Sequence, residues 1–172
     1  MSSCALMKDA LHFRCPGESW SVELTPAVLG HLQAHKQRRR LSCEAGGQLF
    51  ARLDVPGMVQ IVEATGPRPT DRRSLFGFEP DRHAERREIQ ARYTQGLHFV
   101  GDWHTHPQRI PVPSGRDERS MQEMVRQSAH DLPGFFMVIV GRADFPAGLY
   151  VAFHHSTGAS SLITVASKVS AS

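Results

Sequence analysis

Gly101-Asp102-Trp103-His104-Thr105-His106-Pro107, then Gln108-Arg109-Ile110-Pro111-Val112-Pro113, then Ser114-Gly115-Arg116-Asp117, is the stretch that decides the reading of this chain. Leu97 to Trp103 alternates apolar and polar residues and predicts a strand. On a strand, residues two apart share a face, so His104 and His106 can present imidazole nitrogens to one point. Pro107 cannot continue a central ladder and turns the chain. Ser114 then opens a predicted helix running to about Ser128, with Met121, Met124 and Val125 inward and Asp117 in the first turn. A carboxylate there can swing back toward the two imidazoles. Two neutral histidines and one aspartate make an N/N/O donor set with a fourth position left for water, the pattern of a catalytic rather than a structural zinc site.

Each half has a plainer reading on its own. The chain contains 10 histidines, and His154-His155 shows that they cluster, so a lone His-x-His carries little. Ser114-x-x-Asp117 is also a helix cap, in which the hydroxyl accepts from a first-turn amide and the carboxylate favours the positive end of the dipole. The order and spacing of the two together carry the metal reading, and capping and ligation are compatible for Asp117. Asp102 shares the alternation of His104 or lies at the flank of the strand. No His-Glu-x-x-His and no Pro-Cys-x-x-Cys is present, which speaks against thermolysin-like and nucleobase-deaminase chemistries.

His-x-His-Pro, six residues, then Ser-x-x-Asp resembles the signature of the JAMM/MPN+ metallopeptidases, which remove ubiquitin and ubiquitin-like tags. That family carries a glutamate far upstream at a helix-to-strand corner. Glu44, in Cys43-Glu44-Ala45-Gly46-Gly47-Gln48-Leu49, matches it, with glycines that permit close backbone approach. The resemblance implies one zinc ion held by His104, His106 and Asp117. It implies Glu44 as general acid/base and Ser114 as hydrogen-bond donor to the developing oxyanion. It also implies a single-domain α/β fold of the JAB/MPN kind: a curved mixed sheet between helices, related to the cytidine deaminase architecture. Cys43 beside Glu44 is expected to be a small buried side chain rather than a nucleophile.

Glu44 to Gly47, Pro67 to Phe78 with Asp71-Arg72-Arg73-Ser74, and Gly101 to Pro107 are together similar to a compact bacterial branch of the family, over roughly residues 18 to 155. That branch occurs in CBASS anti-phage operons. The resemblance implies a protein substrate with an extended C-terminal tail, either a ubiquitin-like protein or a conjugated cGAS-like nucleotidyltransferase. A tail can be held by adding it as a strand to a sheet edge. Arg68 to Phe78, with Arg72 and Phe76 as contacts, is one candidate wall; a plain exposed loop is the alternative. A processing peptidase for a ubiquitin-like or sulfur-carrier precursor, and a catalytically silent MPN binding module, remain the competing functions.

Outward from the motif, elements of both kinds mix. Trp20 to Leu24 reads as a strand, and Thr25-Pro26 as the start of a helix with Val28, Leu29 and Leu32 on one face. His35 to Arg40 is the most basic run and reads as a solvated helix end; no aromatic residue interleaves it, which speaks against a nucleic-acid patch. Gly46 to Leu53 and Met58 to Ala64 read as a hairpin turning at Asp54-Val55-Pro56-Gly57. Asp81 is expected to cap a helix on which Ile89 and Tyr93 share a face. Phe135 to Val140 has the all-apolar run of a buried strand, and Leu149 to His154 reads as another. This mixture favours a mixed sheet flanked by helices over a doubly wound parallel fold.

The bulk properties agree. A chain of 172 residues with 40% hydrophobic and 22% charged residues fits one globular domain, placed at 18–156. The ends, 1–17 and 157–172, are rich in small and polar residues and are expected to be mobile. A net charge of +3 demands neither nucleic acid nor membrane as partner. Three widely spaced cysteines suggest a reducing cytoplasm. No stretch approaches the roughly 20 apolar residues of a membrane span.

Overall fold

The computed structural model describes residues 9–39, 41–127, 132–158, 160–162 and 164–165. The chain opens with an antiparallel pair, β1 (Leu11–Arg14) and β2 (Ser21–Leu24), in register from Leu11 opposite Leu24 to Arg14 opposite Ser21. Leu11–Arg14 lies within the segment expected to be mobile. It nevertheless joins the sheet, because Phe13 points into the core. Helix α1 (Pro26–Ala34) starts where Thr25-Pro26 predicts, although the Thr25 hydroxyl makes no capping bond. Val28, Leu29 and Leu32 are fully buried.

The basic run after α1 departs from its expectation. Lys36 is buried, not solvated: its ammonium donates to the Ala143 carbonyl at 2.7 Å and stands 4.1 Å from the centroid of the Phe145 ring. An acceptor and an aromatic face offset the loss of hydration.

Strands β3 (Gly46–Arg52) and β4 (Met58–Ala64) form the expected hairpin, with a register shift between Phe50 and Ala51. The stretch left open between loop and wall folds as a second, small hairpin, β5 (Arg72–Ser74) and β6 (Gly77–Glu79). Asp81 caps α2 (Arg82–Tyr93), its carboxylate accepting from the amides of His83 and Ala84. The expected apolar face of α2 is not the buried one: Tyr93 is 67% exposed, and Glu85 is the buried residue. A polar network explains this. Arg68 forks onto Glu88, donates to Gln48 Oε1 at 3.2 Å, and lies near Asp71 and Glu85. Arg92 pairs with Glu63 at 2.7 Å. The helix therefore seats on the sheet through ion pairs rather than an apolar stripe.

β7 (His98–Thr105) and β8 (Gly134–Val140) are parallel neighbours joined through α3 (Gly115–Gln127), and β9 (Leu149–His155) returns antiparallel. Two short strands follow, β10 (Ser160–Leu162) and β11 (Thr164–Val165). The main sheet runs β10-β9-β8-β7-β3-β4-β2-β1-β11. Its two edge strands are almost consecutive in the chain, so the sheet must curl until its edges meet.

The curl gives the sheet two unlike faces. Val100, Phe136, Val138 and Val140 join Val22, Leu24, Leu29 and Leu32 in the main core. The alternate residues of β8, Phe135, Met137 and Ile139, face outward and pack with Met121 and Val125 of α3. No helix among the described residues is long and apolar enough to cross a membrane. The architecture is a single α/β domain with a curved mixed sheet flanked by helices.

Candidate metal centre and its groove

β7 carries His104 and Thr105 inside the strand and ends there, one residue short of His106, which the sequence reading placed on the same strand. The ladder explains the placement. Gly46 of β3 stands opposite His104, and Ile139 of β8 is its partner on the other side. Thr105 is fully buried and donates its backbone N–H to the Ala45 carbonyl at 2.8 Å, while its hydroxyl accepts from the Ala45 amide at 3.0 Å. The His106 amide donates to the Val140 carbonyl at 2.9 Å. Both imidazoles are therefore set by backbone that has little freedom.

α3 brings the third donor. The Asp117 amide donates to Ser114 Oγ at 3.2 Å, and the Ser114 amide donates to Asp117 Oδ2 at 2.6 Å. This reciprocal cap fixes the first turn. The two oxygens of Asp117 lie 3.3 Å from His104 Nε2 and 3.3 Å from His106 Nε2, and those nitrogens are 3.2 Å apart. Among the described residues, His104, His106 and Asp117 form a group whose donor atoms all lie within 4.8 Å of one another, suited to holding a metal ion. Burial raises the Asp117 carboxyl, but hydrogen bonds from both histidines and from Ser114 outweigh it and hold it well below the usual carboxylate range. The His106 ring also meets the Gln108 side chain, as donor to its amide oxygen, which favours the protonated imidazole. Gln108 Oε1 accepts from the Val112 amide at 3.0 Å, so this residue ties the connecting loop to the cluster. Nothing in the spacing marks Gln108 out.

Glu44 stands at the entry to β3, beside the cluster. Burial pushes its carboxyl above the ordinary value, against the pull of His106 and His104. Its backbone is clamped by the small hairpin: the Glu44 amide donates to the Ser74 carbonyl at 2.8 Å, and Arg73 Nε donates to the Glu44 carbonyl at 2.7 Å. The glycines that follow have a packing cause. A Cβ on Gly46 would lie 2.7 Å from the Phe78 ring, and one on Gly47 would lie 1.7 Å from the Thr65 carbonyl oxygen. Both strand and hairpin approach too closely for any side chain there. Cys43, expected to be buried, is exposed, because the chain reaches the sheet only at Ala45.

A groove of about 990 Å³ runs from this cluster between α2 and α3. Its lining includes Glu44, His104, His106, Ser114, Asp117 and Phe76. Of the two proposed contacts on the hairpin, Phe76 lines the groove and is 84% exposed at the tip. Arg72 is exposed, pairs in register with Glu79, and does not line the groove; its neighbour Arg73 is the residue that reaches Glu44. Leu75-Phe76 at the turn of this hairpin lacks the usual Asn-Gly or Asp-Gly signal. Asp102 shares the His104 side of β7 and lies on the groove floor with its Oδ1 buried and unpartnered. Burial, then the charge of Glu85, pushes its carboxyl up to about 8.

Residues 26–153 match the family described as prokaryotic homologs of the JAB domain. A protein of Enterobacter hormaechei subsp. hoffmannii named CD-NTase/cGAS isopeptidase is 39% identical over 111 residues, 62% of this chain and 59% of its own length. One of the same name from Pseudomonas aeruginosa is 34% identical over 125 residues, 70% of this chain and 77% of that protein. The solution structure of a Desulfitobacterium hafniense protein superposes with a TM-score of 0.56 over 83% of this chain and 88% of that one, at 21% identity, a likeness of fold. With the curved sheet, the paired histidines of β7 and the carboxylate at the start of α3 in place, the match over 26–153 makes this chain a member of the family of prokaryotic JAB-domain homologues.

Proposed function

We propose that the chain is a zinc-dependent isopeptidase that releases the C-terminus of a ubiquitin-like protein or a cGAS-like nucleotidyltransferase from a target protein. The observation that carries this reading is the spacing of the three donors. Tetrahedral zinc ligands at about 2.0–2.1 Å from the ion stand roughly 3.3 Å from one another. The separations among His104, His106 and Asp117 are 3.2, 3.3 and 3.3 Å. Two imidazole nitrogens and a carboxylate oxygen at such separations suit a shared cation. The relatives named CD-NTase/cGAS isopeptidase support the same substrate class.

When bound, zinc supplies Lewis acidity that acidifies a water and polarises a carbonyl oxygen. The chain's own residues do the rest. Glu44, with its raised carboxyl, accepts a proton from the attacking water and delivers it to the departing lysine amine. Ser114 Oγ already accepts from the Asp117 amide, so its O–H proton is free to stabilise a developing oxyanion. Arg73 and Ser74 hold Glu44 from behind, through its backbone, and leave the carboxyl free to move its proton.

Substrate enters beside the hairpin. β5 is occupied on one side by Glu44, and among the described residues β6 pairs only with β5. The outer edge of β6 can therefore take an extended tail as a further strand, with Phe76 at one end. A cGAS-like nucleotidyltransferase fused through its C-terminus to a reporter protein tests the reading. Chelator-sensitive release at the last nucleotidyltransferase residue is expected. Intact fusion with the metal-loaded protein would remove this substrate and turn the search to other ubiquitin-like tails.

A further inference from the structure

The first turn of α3 carries a charge that the proposed chemistry leaves unused. Arg116 directly precedes Asp117, lines the groove and is exposed. Its guanidinium crosses to the small hairpin: a Cβ on Gly77 would stand 3.5 Å from Arg116 Nη1. Gly77 opens β6 opposite Ser74, whose carbonyl accepts from the Glu44 amide. The guanidinium therefore lies at the end of the hairpin nearest Glu44. Its charge reaches the Glu44 carboxyl and pulls it down, less strongly than His106 and His104 do. No contact within the fold explains a cation at this place. Among the described residues, the Arg116 side chain has no hydrogen-bond partner and no carboxylate within 4.0 Å. A cation in a first helical turn also stands at the positive end of the helix dipole, which disfavours it. Arg82, another arginine of the groove, is by contrast committed to Glu85 at 3.0 Å. A guanidinium with its donors uncommitted offers a planar fork that matches a carboxylate.

We propose that Arg116 is a specificity residue that pairs with an Asp or Glu side chain among the last residues of the substrate tail, ahead of the scissile bond. This rests on the isopeptidase reading, with the tail laid along β6, and deepens it. A tail residue beside Gly77 comes within reach of the guanidinium, so one position carries the preference. Arg116 binds and takes no part in bond breaking.

The test measures binding separately from cleavage. Zinc-loaded Glu44→Gln protein is titrated into fluorescent branched peptides. Each joins the C-terminal tail of a cGAS-like nucleotidyltransferase to a lysine side chain, with Glu or Gln placed in turn at each of the final tail positions. At one position Glu is expected to tighten Kd about fivefold over Gln, the upper range for a solvent-facing ion pair. Adding Arg116→Met should erase that preference, and Arg116→Glu should favour Lys at the same position. Arg86→Met removes a charge from the α2 wall of the groove instead and should leave the preference in place. All three variants change exposed side chains, so folding should survive them. Equal binding of Glu and Gln peptides at every tail position overturns the assignment. So does a preference that Arg86→Met removes as fully as Arg116→Met, which would leave only the general field of the groove. Equal weakening of Glu and Gln peptides by Arg116→Met would also overturn it, giving the guanidinium to the tail backbone. Wild-type cleavage without acidic preference sinks the subsite alone. Acidic preference in binding without any wild-type cleavage sinks the hydrolytic reading alone, and neither binding nor cleavage sinks both.

Discussion

Arg73 donates its Nε to the backbone carbonyl of Glu44 at 2.7 Å, so the hairpin that borders the groove is fastened to the residue proposed to move the proton. The amide of Glu44 is fastened to the same hairpin through Ser74. The position of the hairpin and the placement of Glu44 are thereby mechanically joined.

Arg73→Ala should therefore affect turnover more than stability. The side chain is exposed, so the loss in unfolding free energy should stay within about 1 kcal/mol. Loss of one anchor should lower kcat/KM by roughly tenfold, since catalytic groups tolerate little misplacement. Steady-state kinetics and a urea melt on the same preparation check both. A stability loss as large as the activity loss would reduce the anchor to a fold contact.

Ligand and proton-carrier roles separate by metal content. His104→Ala and Asp117→Ala should lose zinc, because each removes a first donor from a set of three. Glu44→Gln should keep zinc and lose turnover, by roughly 100-fold or more if it is the general acid/base. Plasma mass spectrometry of the three variants decides it. A zinc-free Glu44→Gln protein would make Glu44 a ligand.

Arg68 should be a stability residue. Its side chain is 8% exposed and serves Glu88, Gln48, Asp71 and Glu85. Arg68→Met keeps the volume but strands those partners, which should cost about 3–5 kcal/mol in urea unfolding. A change below about 1 kcal/mol would show that α2 seats by other means.

Acid should loosen the same network. Burial raises the Glu88 carboxyl, but the hydrogen bond and charge of Arg68 outweigh it, so its folded value is lowered. A depressed carboxyl contributes stability that is present above the unfolded value, near 4.3 for glutamate, and is lost as pH falls through the folded one. The stability curve should fall on the acid side below about pH 4.3, and Glu88→Gln should flatten that fall. Unfolding measured at stepped pH checks the sign. An unchanged acid limb would place the linkage elsewhere.

Much of the site was legible because ligand geometry depends on short-range rules. Strand alternation puts His104 and His106 on one side, and a first-turn carboxylate after a Ser cap puts Asp117 within reach, whatever else the chain does. The apolar run Phe135 to Val140 likewise announced the buried strand beside them. What sequence could not supply was partner choice across distance. Lys36 reads as a solvated cation until Ala143 and Phe145, more than a hundred residues on, close over it. Glu85 and Glu88 of α2 carry no apolar signal, and only their pairing with Arg68 turns that face inward. Cys43 reads as a small core residue until the sheet is seen to begin only at Ala45 and Gly46. The hairpin over Glu44 is held by two hydrogen bonds with no sequence periodicity behind them. Local stereochemistry thus determined which atoms can meet a metal. Desolvation, which depends on what finally covers each group, decided which charges are buried, and so left Asp102 with an unpartnered oxygen on the groove floor.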